Sequence, residues 1–157
     1  MDRIIGIGEY TITEDINTVV KTYALSSCVA LTAYDSFRKV LGMVHIALAS
    51  ADIVQNRAIA NPAYYADTAV PMLINKIRLR YGCGIKELEL GLFGGAQSIR
   101  KDDVFHIGVR NVEMVEAALK QMNLKVCHYD IGGTSSRSVA VEVATGKVKV
   151  ICQPLFI

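Results

Sequence analysis

Tryptophan is absent from the 157 residues, proline occurs three times, and neither sign of charge dominates: 17 Lys and Arg against 15 Asp and Glu leave +2. So small an excess excludes recognition of nucleic acid or of an acidic partner by long-range field alone. The basic residues are scattered over Lys76 to Arg80, Arg100-Lys101 and Lys147 to Lys149, as on ordinary solvated faces. No apolar run approaches the ~20 residues of a membrane-spanning helix. Met1-Asp2-Arg3 lacks the basic-then-apolar layout of a secretion signal. These absences predict a soluble, cytoplasmic chain with no membrane insertion and no nucleic-acid partner.

Paired-ligand motifs are missing too. Four cysteines stand at 28, 83, 127 and 152 with no CxxC among them, and the histidines at 45, 106 and 128 form no HxxxH. Zinc therefore has no signature to rest on. Long gaps and an apolar composition also argue against a disulfide framework, so Cys83, Cys127 and Cys152 read as small buried hydrophobes. The early Gly6 and Gly8 are followed by Glu9 to Thr13, which is β-branched and turn-bound, not a helix; a dinucleotide-binding loop is excluded. The glycines read instead as a bulge or a close backbone approach.

What is present suffices for a core. Hydrophobic residues make 52% and charged residues 20% of the chain, which predicts one folded domain over 1–157. Arg3 to Thr13 reads as an entering strand. Val19 to Leu25, Cys28 to Tyr34 and Val40 to Ala49 read as consecutive strands, the last two joined across Asp35 to Lys39. Their apolar runs are continuous rather than alternating, which implies a sheet covered on both faces. A polar loop over Asp52 to Pro62 leads to a helix with 70, 73, 74, 77 and 81 on one face; Pro71 requires it to start late or to kink.

Lys86 to Phe93 reads as a strand ending at Gly94-Gly95. Ile107 to Met122 reads as a second helix, with Val109, Val112, Val115, Ala118 and Leu119 at core spacing and Asn123 as its stop. Leu124 to Ile131 and Ser138 to Val143 are strands, the latter pairing with Lys147 to Cys152 across Ala144-Thr145-Gly146. Strands come first in a run, with no βαβ alternation. The fold class is therefore layered α/β, with mixed or antiparallel sheets and both helices on one side.

Two groupings could do chemistry. Cys28 follows Ser26-Ser27, and His45 lies in the strand that returns alongside; an imidazole beside a thiol can take its proton, and the thiolate so held is a nucleophile at neutral pH. Set against this, a cysteine in an apolar strand is usually packing, and a histidine between Val44 and Ile46 is usually a satisfied core residue. His128 and Asp130, two apart on one strand, offer a rival carboxylate-oriented imidazole. His106 sits in a polar loop and reads as solvated.

The stretch Thr22-Tyr23-Ala24-Leu25-Ser26-Ser27-Cys28-Val29-Ala30, followed by Met43-Val44-His45, resembles the signature of the CheD family of chemoreceptor glutamine deamidases. Further motifs are similar and in family order: Gly6-Ile7-Gly8-Glu9-Tyr10, Tyr65 to Val70, Gly94-Gly95-Ala96, Ile107-Gly108 with Arg110-Asn111, Asp130 with Gly132-Gly133, Arg137-Ser138-Val139, and Thr145-Gly146. They cover nearly the whole chain.

The resemblance implies a single-domain α/β/β layered sandwich and a cysteine hydrolase that converts glutamines of methyl-accepting chemotaxis receptors to glutamate without a cofactor. It implies Cys28 as nucleophile, His45 as base and Thr22 as the group that orients the imidazole. Backbone N–H groups near Ser27 and Cys28 are candidate oxyanion donors, and the glycines at 94, 95, 132 and 133 are expected to serve turns and close packing. It also implies an alternative role, as a weakly catalytic or non-catalytic regulator that binds and stimulates a CheC-type response-regulator phosphatase. One departure is that glycine is usual in the family where this chain has Ala24 and Ser26. If position 26 needs positive φ, its serine costs about 1 kcal/mol.

Overall fold

The computed structural model describes residues 1–51, 60–97 and 105–154. Among the described residues nine strands form two sheets. A five-stranded sheet has the order β2 (Tyr10–Thr13), β5 (Val40–Ile46), β4 (Val29–Asp35), β6 (Leu88–Gly94), β7 (His128–Ile131), antiparallel except for the β6–β7 pair. A four-stranded sheet has the order β1 (Asp2–Ile5), β3 (Val19–Leu25), β8 (Ser135–Glu142), β9 (Val148–Pro154), parallel only between β1 and β3. Helices α1 (Ala66–Tyr81) and α2 (Ile107–Gln121) are the two main helices among the described residues.

Every residue of β4 and β5 is buried, because their sheet is covered on both faces. Val29, Leu31 and Ala33 of β4, with Val40, Val44 and Ile46 of β5, face the helices and pack with Leu73, Ile74, Ile77, Val112, Val115 and Leu119. The intervening Ala30, Tyr34, Leu41 and Met43 face the second sheet and pack with Val20, Leu25, Val139 and Val141. The period-2 alternation thus divides one apolar run between two cores. This is the α/β/β order, with mixed sheets and both helices on one side.

The stretch from Arg3 to Thr13 is two strands in different sheets, not one. Gly8 makes the switch: it has φ +74°, its N–H donates to the His45 carbonyl (2.8 Å), and the His45 N–H donates to the Glu9 carbonyl (3.0 Å). That pattern is a bulge with glycine at the left-handed first position. A side chain there would also meet Asn61 and Tyr64 at 2.9 Å, so bulge and close approach both hold.

Helix α1 starts at Ala66, five residues before Pro71, and not late. Its first amides are bonded from outside, Ala66 to the Leu48 carbonyl (2.8 Å) and Asp67 to that of Ala49 (3.1 Å), while Ala66, Ala69 and Val70 are buried. Tertiary packing outweighs the one backbone bond that proline removes. The strand expected from Leu124 begins only at His128, and β6 only at Leu88 after a 3-10 turn. Val109 and Ala118 are half-buried, and the fully buried positions of α2 are Gly108, Asn111, Val112, Val115 and Leu119. The β8–β9 hairpin forms across Gly146 (φ +73°), where a Cβ would lie 2.4 Å from the Tyr34 ring.

All four cysteines are free. Cys83 is buried as expected, but Cys127 and Cys152 are exposed, because one precedes the edge strand β7 and the other lies on the edge strand β9. Most of the polar loop expected over 52–62, and Arg100-Lys101, lie outside the described residues.

Candidate active site

His45 is buried on β5, on the face that looks into the second sheet. Its direct neighbour across β4 is Ala30. Cys28 stands two residues before Ala30, immediately before β4 begins, and packs against the same inter-sheet core that His45 faces. Its side chain is half-buried. Thr22 reaches the same point from the opposite sheet: its Oγ1 lies 2.7 Å from His45 Nδ1 and 2.9 Å from the Ile5 carbonyl.

The three groups have only one consistent proton arrangement. A carbonyl can only accept, so the Thr22 hydroxyl proton goes to Ile5, and Oγ1 must then accept from Nδ1–H. The imidazole carries its proton on Nδ1. Nε2 is left with a free lone pair, and it is buried without a hydrogen-bond partner. A satisfied core histidine has both ring nitrogens occupied; His45 does not.

Burial pushes the Cys28 thiol up from its ordinary value, while its own backbone N–H draws it partly back. Burial also lowers the His45 imidazole, against an upward pull from the Glu9 carboxylate that the bulge brings beside it. Both directions favour the neutral thiol and neutral imidazole at rest. Both groups lie in a partly dry inter-sheet space.

The segment bearing Cys28 is held from behind. The carbonyls of Ser26, Ser27 and Cys28 accept from Ala96 N–H (2.6 Å), Asn111 Nδ2 (2.9 Å) and Gly95 N–H (2.9 Å). Gly94 and Gly95 have φ of +102° and +65°, and a Cβ on Gly94 would lie 2.3 Å from the Cys28 carbonyl oxygen. Gly132 and Gly133 are likewise left-handed, and their turn donates to the Gly94 carbonyl and accepts from Gln97. Of the two positions where the family carries glycine, Ala24 has positive φ (+58°) and Ser26 does not; Ala24 lies where the β3–β8 register shifts between Thr22 and Leu25.

The rival pair is not assembled as expected. The Asp130 carboxylate accepts from Arg137 Nε at 2.9 Å and does not orient His128, which is exposed. Both line a separate recess of about 360 Å³ between the sheets, with Thr32, Gly91, Phe93 and Val150, which includes neither Cys28 nor His45. His106 is exposed at the start of α2. Among the described residues no three His, Cys, Asp or Glu side chains cluster as a metal site, and no helix is long and apolar enough to cross a membrane. Asn111 was legible in the sequence only as part of a motif; the signal that could have found it is an amide inside the buried stripe of α2.

Residues 36–151 match the family model described as CheD chemotactic sensory transduction. The chain belongs to the CheD family. Similar proteins extend the likeness beyond the matched span. "Probable chemoreceptor glutamine deamidase CheD" of Syntrophotalea carbinolica is 39% identical over 96% of this chain and 94% of that protein. "Chemoreceptor glutamine deamidase CheD" of Thermotoga maritima is 37% identical over 96% of this chain and 91% of that one. The Pyrococcus abyssi CheD relative is 37% identical over 92% and 88%. A crystal structure of the Bacillus licheniformis hypothetical protein YfiH matches with a TM-score of 0.43 and 9% identity, over 80% of this chain and half of that one.

Proposed function

We propose that this chain is a cysteine-dependent amidohydrolase that converts glutamine side chains of methyl-accepting chemotaxis receptors to glutamate, with Cys28 as nucleophile, His45 as base and Thr22 as the group that orients the imidazole. The observation that supports it most is the His45–Thr22–Ile5 hydrogen-bond chain, which leaves a buried, unpartnered Nε2 on the side of the inter-sheet core against which Cys28 packs. The substrate comes from the names of the CheD relatives. Their identities extend over more than nine-tenths of this chain.

The chemistry follows from the resting proton arrangement. As the carboxamide arrives, Nε2 takes the thiol proton and the sulfur bonds to the amide carbon, pushing the carbonyl electrons onto oxygen. The backbone N–H groups of Ser27 and Cys28 are the donors assigned to that oxyanion. The oxyanion collapses, the C–N bond breaks, and the imidazolium proton leaves with the nitrogen as ammonia. Water, deprotonated by the same Nε2, then hydrolyses the thioester, releasing glutamate and restoring the thiol. The cycle consumes one water per glutamine and requires no cofactor. It acts on the receptor's cytoplasmic segments.

The test is incubation of the protein with receptor cytoplasmic fragments, followed by mass spectrometry of amide-to-acid conversion. Wild type converts selected glutamines, and Cys28→Ala converts none. Persistent conversion by the alanine variant overturns the assignment of the nucleophile.

A further inference from the structure

We infer that Asn111 is a positioning residue for the reaction: it fixes the separation between Cys28 and His45 by bonding the segment that carries the first and the strand that carries the second. The inference rests on the functional reading above. The β4–β5 ladder ends with the pair Val29 and Ile46; beyond it the two segments turn to different partners, the Cys28 carbonyl accepting from Gly95 N–H and the Ala47 N–H donating to the Tyr64 carbonyl. The ladder therefore stops at the very residues whose spacing matters. Asn111, fully buried on α2, reaches across the gap: Nδ2 donates to the Ser27 carbonyl at 2.9 Å and to the Ala47 carbonyl at 3.1 Å.

One amide nitrogen thus joins the two segments just beyond the end of the ladder. Two carbonyl partners identify that end of the side chain as the NH₂, since an amide oxygen could bond neither. Ser27 immediately precedes Cys28, and Ala47 follows His45 by two residues, so a change in this bridge moves nucleophile and base relative to each other.

Two further observations separate positioning from packing. The Asn111 Oδ1 is buried with no partner, a standing cost that an apolar residue of similar size would avoid. In addition, α2 is brought close enough for the bridge only by glycine. A Cβ on Gly108 would stand 2.4 Å from the Ala96 carbonyl oxygen and 2.5 Å from that of Gly95, the turn whose amides hold Ser26 and Cys28. Helix, turn and bridge all converge on the same three residues.

The experiment compares wild type, Asn111→Asp, Asn111→Ser and His45→Ala in two assays: deamidation kinetics on receptor fragments, and the rate of Cys28 alkylation as a function of pH. Asn111→Asp is isosteric but has no donor when ionised and only one when protonated, so it cannot bond both carbonyls from one atom as the amide does; Asn111→Ser is smaller and leaves room for water. Both are expected to lower kcat about 10²-fold with KM within about twofold, as a displacement of roughly 1 Å between reacting groups does. Their alkylation profiles are expected to lose the His45-dependent enhancement near neutral pH and to fall onto that of His45→Ala.

Unchanged kcat and an unchanged alkylation profile in the folded variants, with only Tm lowered, overturn the inference. If Asn111→Asp does not fold, Asn111→Ser decides it by the same two readouts. Failure of the functional reading looks different: wild type then converts no glutamine, or wild type and His45→Ala alkylate alike.

Discussion

His45 sits where its two nitrogens have opposite fates, and that asymmetry is the basis of the residue-scale predictions. Nδ1–H is committed to Thr22, and Thr22 is committed to Ile5. Thr22→Val keeps the shape but leaves a buried Nδ1–H unpaired, a cost of about 1–3 kcal/mol. Deamidation should fall about 10–100-fold as the ring loses its fixed tautomer, whereas Thr22→Ser retains the bond and most of the activity. Equal activity of the two variants would remove Thr22 from the site. The pH dependence follows from burial. The folded imidazole titrates below its ordinary 6.5, so between that lower value and 6.5 the unfolded chain binds a proton that the folded chain refuses. Stability then rises with pH across this window and is lost on acidification through it. Urea midpoints measured from pH 7.5 to pH 4.5 should show this slope in wild type and less of it in His45→Asn.

At the scale of elements, the sequence was most readable where a single local rule governs. Val19 to Leu25 is β3 as read, and Gly146 turns the β8–β9 hairpin because only glycine fits both its φ and the Tyr34 ring. It was least readable where distant partners decide. The extra turns of α1 before Pro71 are held by the Leu48 and Ala49 carbonyls, and the break between β1 and β2 is set by His45, some 37 residues further along than Gly8. The location of strain belongs to this second class. Of the two residues that replace a family glycine, only Ala24, inside the β3 register shift, has positive φ; Ser26 does not. Ala24→Gly should therefore stabilise the fold by about 0.5–1 kcal/mol, the left-handed cost of alanine less the greater freedom of glycine in the unfolded chain. Ser26→Gly should not. Chemical denaturation of the two variants side by side checks the difference; a larger gain from Ser26→Gly would relocate the strain.

At the scale of the whole molecule, the central sheet is the common wall of two cores, and the proposed chemistry lies at one end of the inter-sheet core. The layer order was legible because continuous apolar runs in β4 and β5 require cover on both faces. What registers the outer sheet on the inner one was not, since it depends on polar contacts between strands remote in sequence. Thr22 with His45 is one such tie, and Arg137 with Asp130 is another, joining β8 of one sheet to β7 of the other. The second tie is asymmetric: the Arg137 side chain is 7% exposed and that of Asp130 is 41% exposed. Removing either partner deletes the same 2.9 Å bond, but the residue left behind differs. Asp130→Ala strands a buried guanidinium, which should cost about 2–3 kcal/mol, whereas Arg137→Met fills the interior with an apolar side chain and leaves a carboxylate that water can reach, at a cost of about 0–1 kcal/mol. Urea unfolding of both variants measures the two values. The order matters more than either figure, because equal losses would mean that the bond itself, and not the desolvated cation, sets the energy of this contact between the sheets.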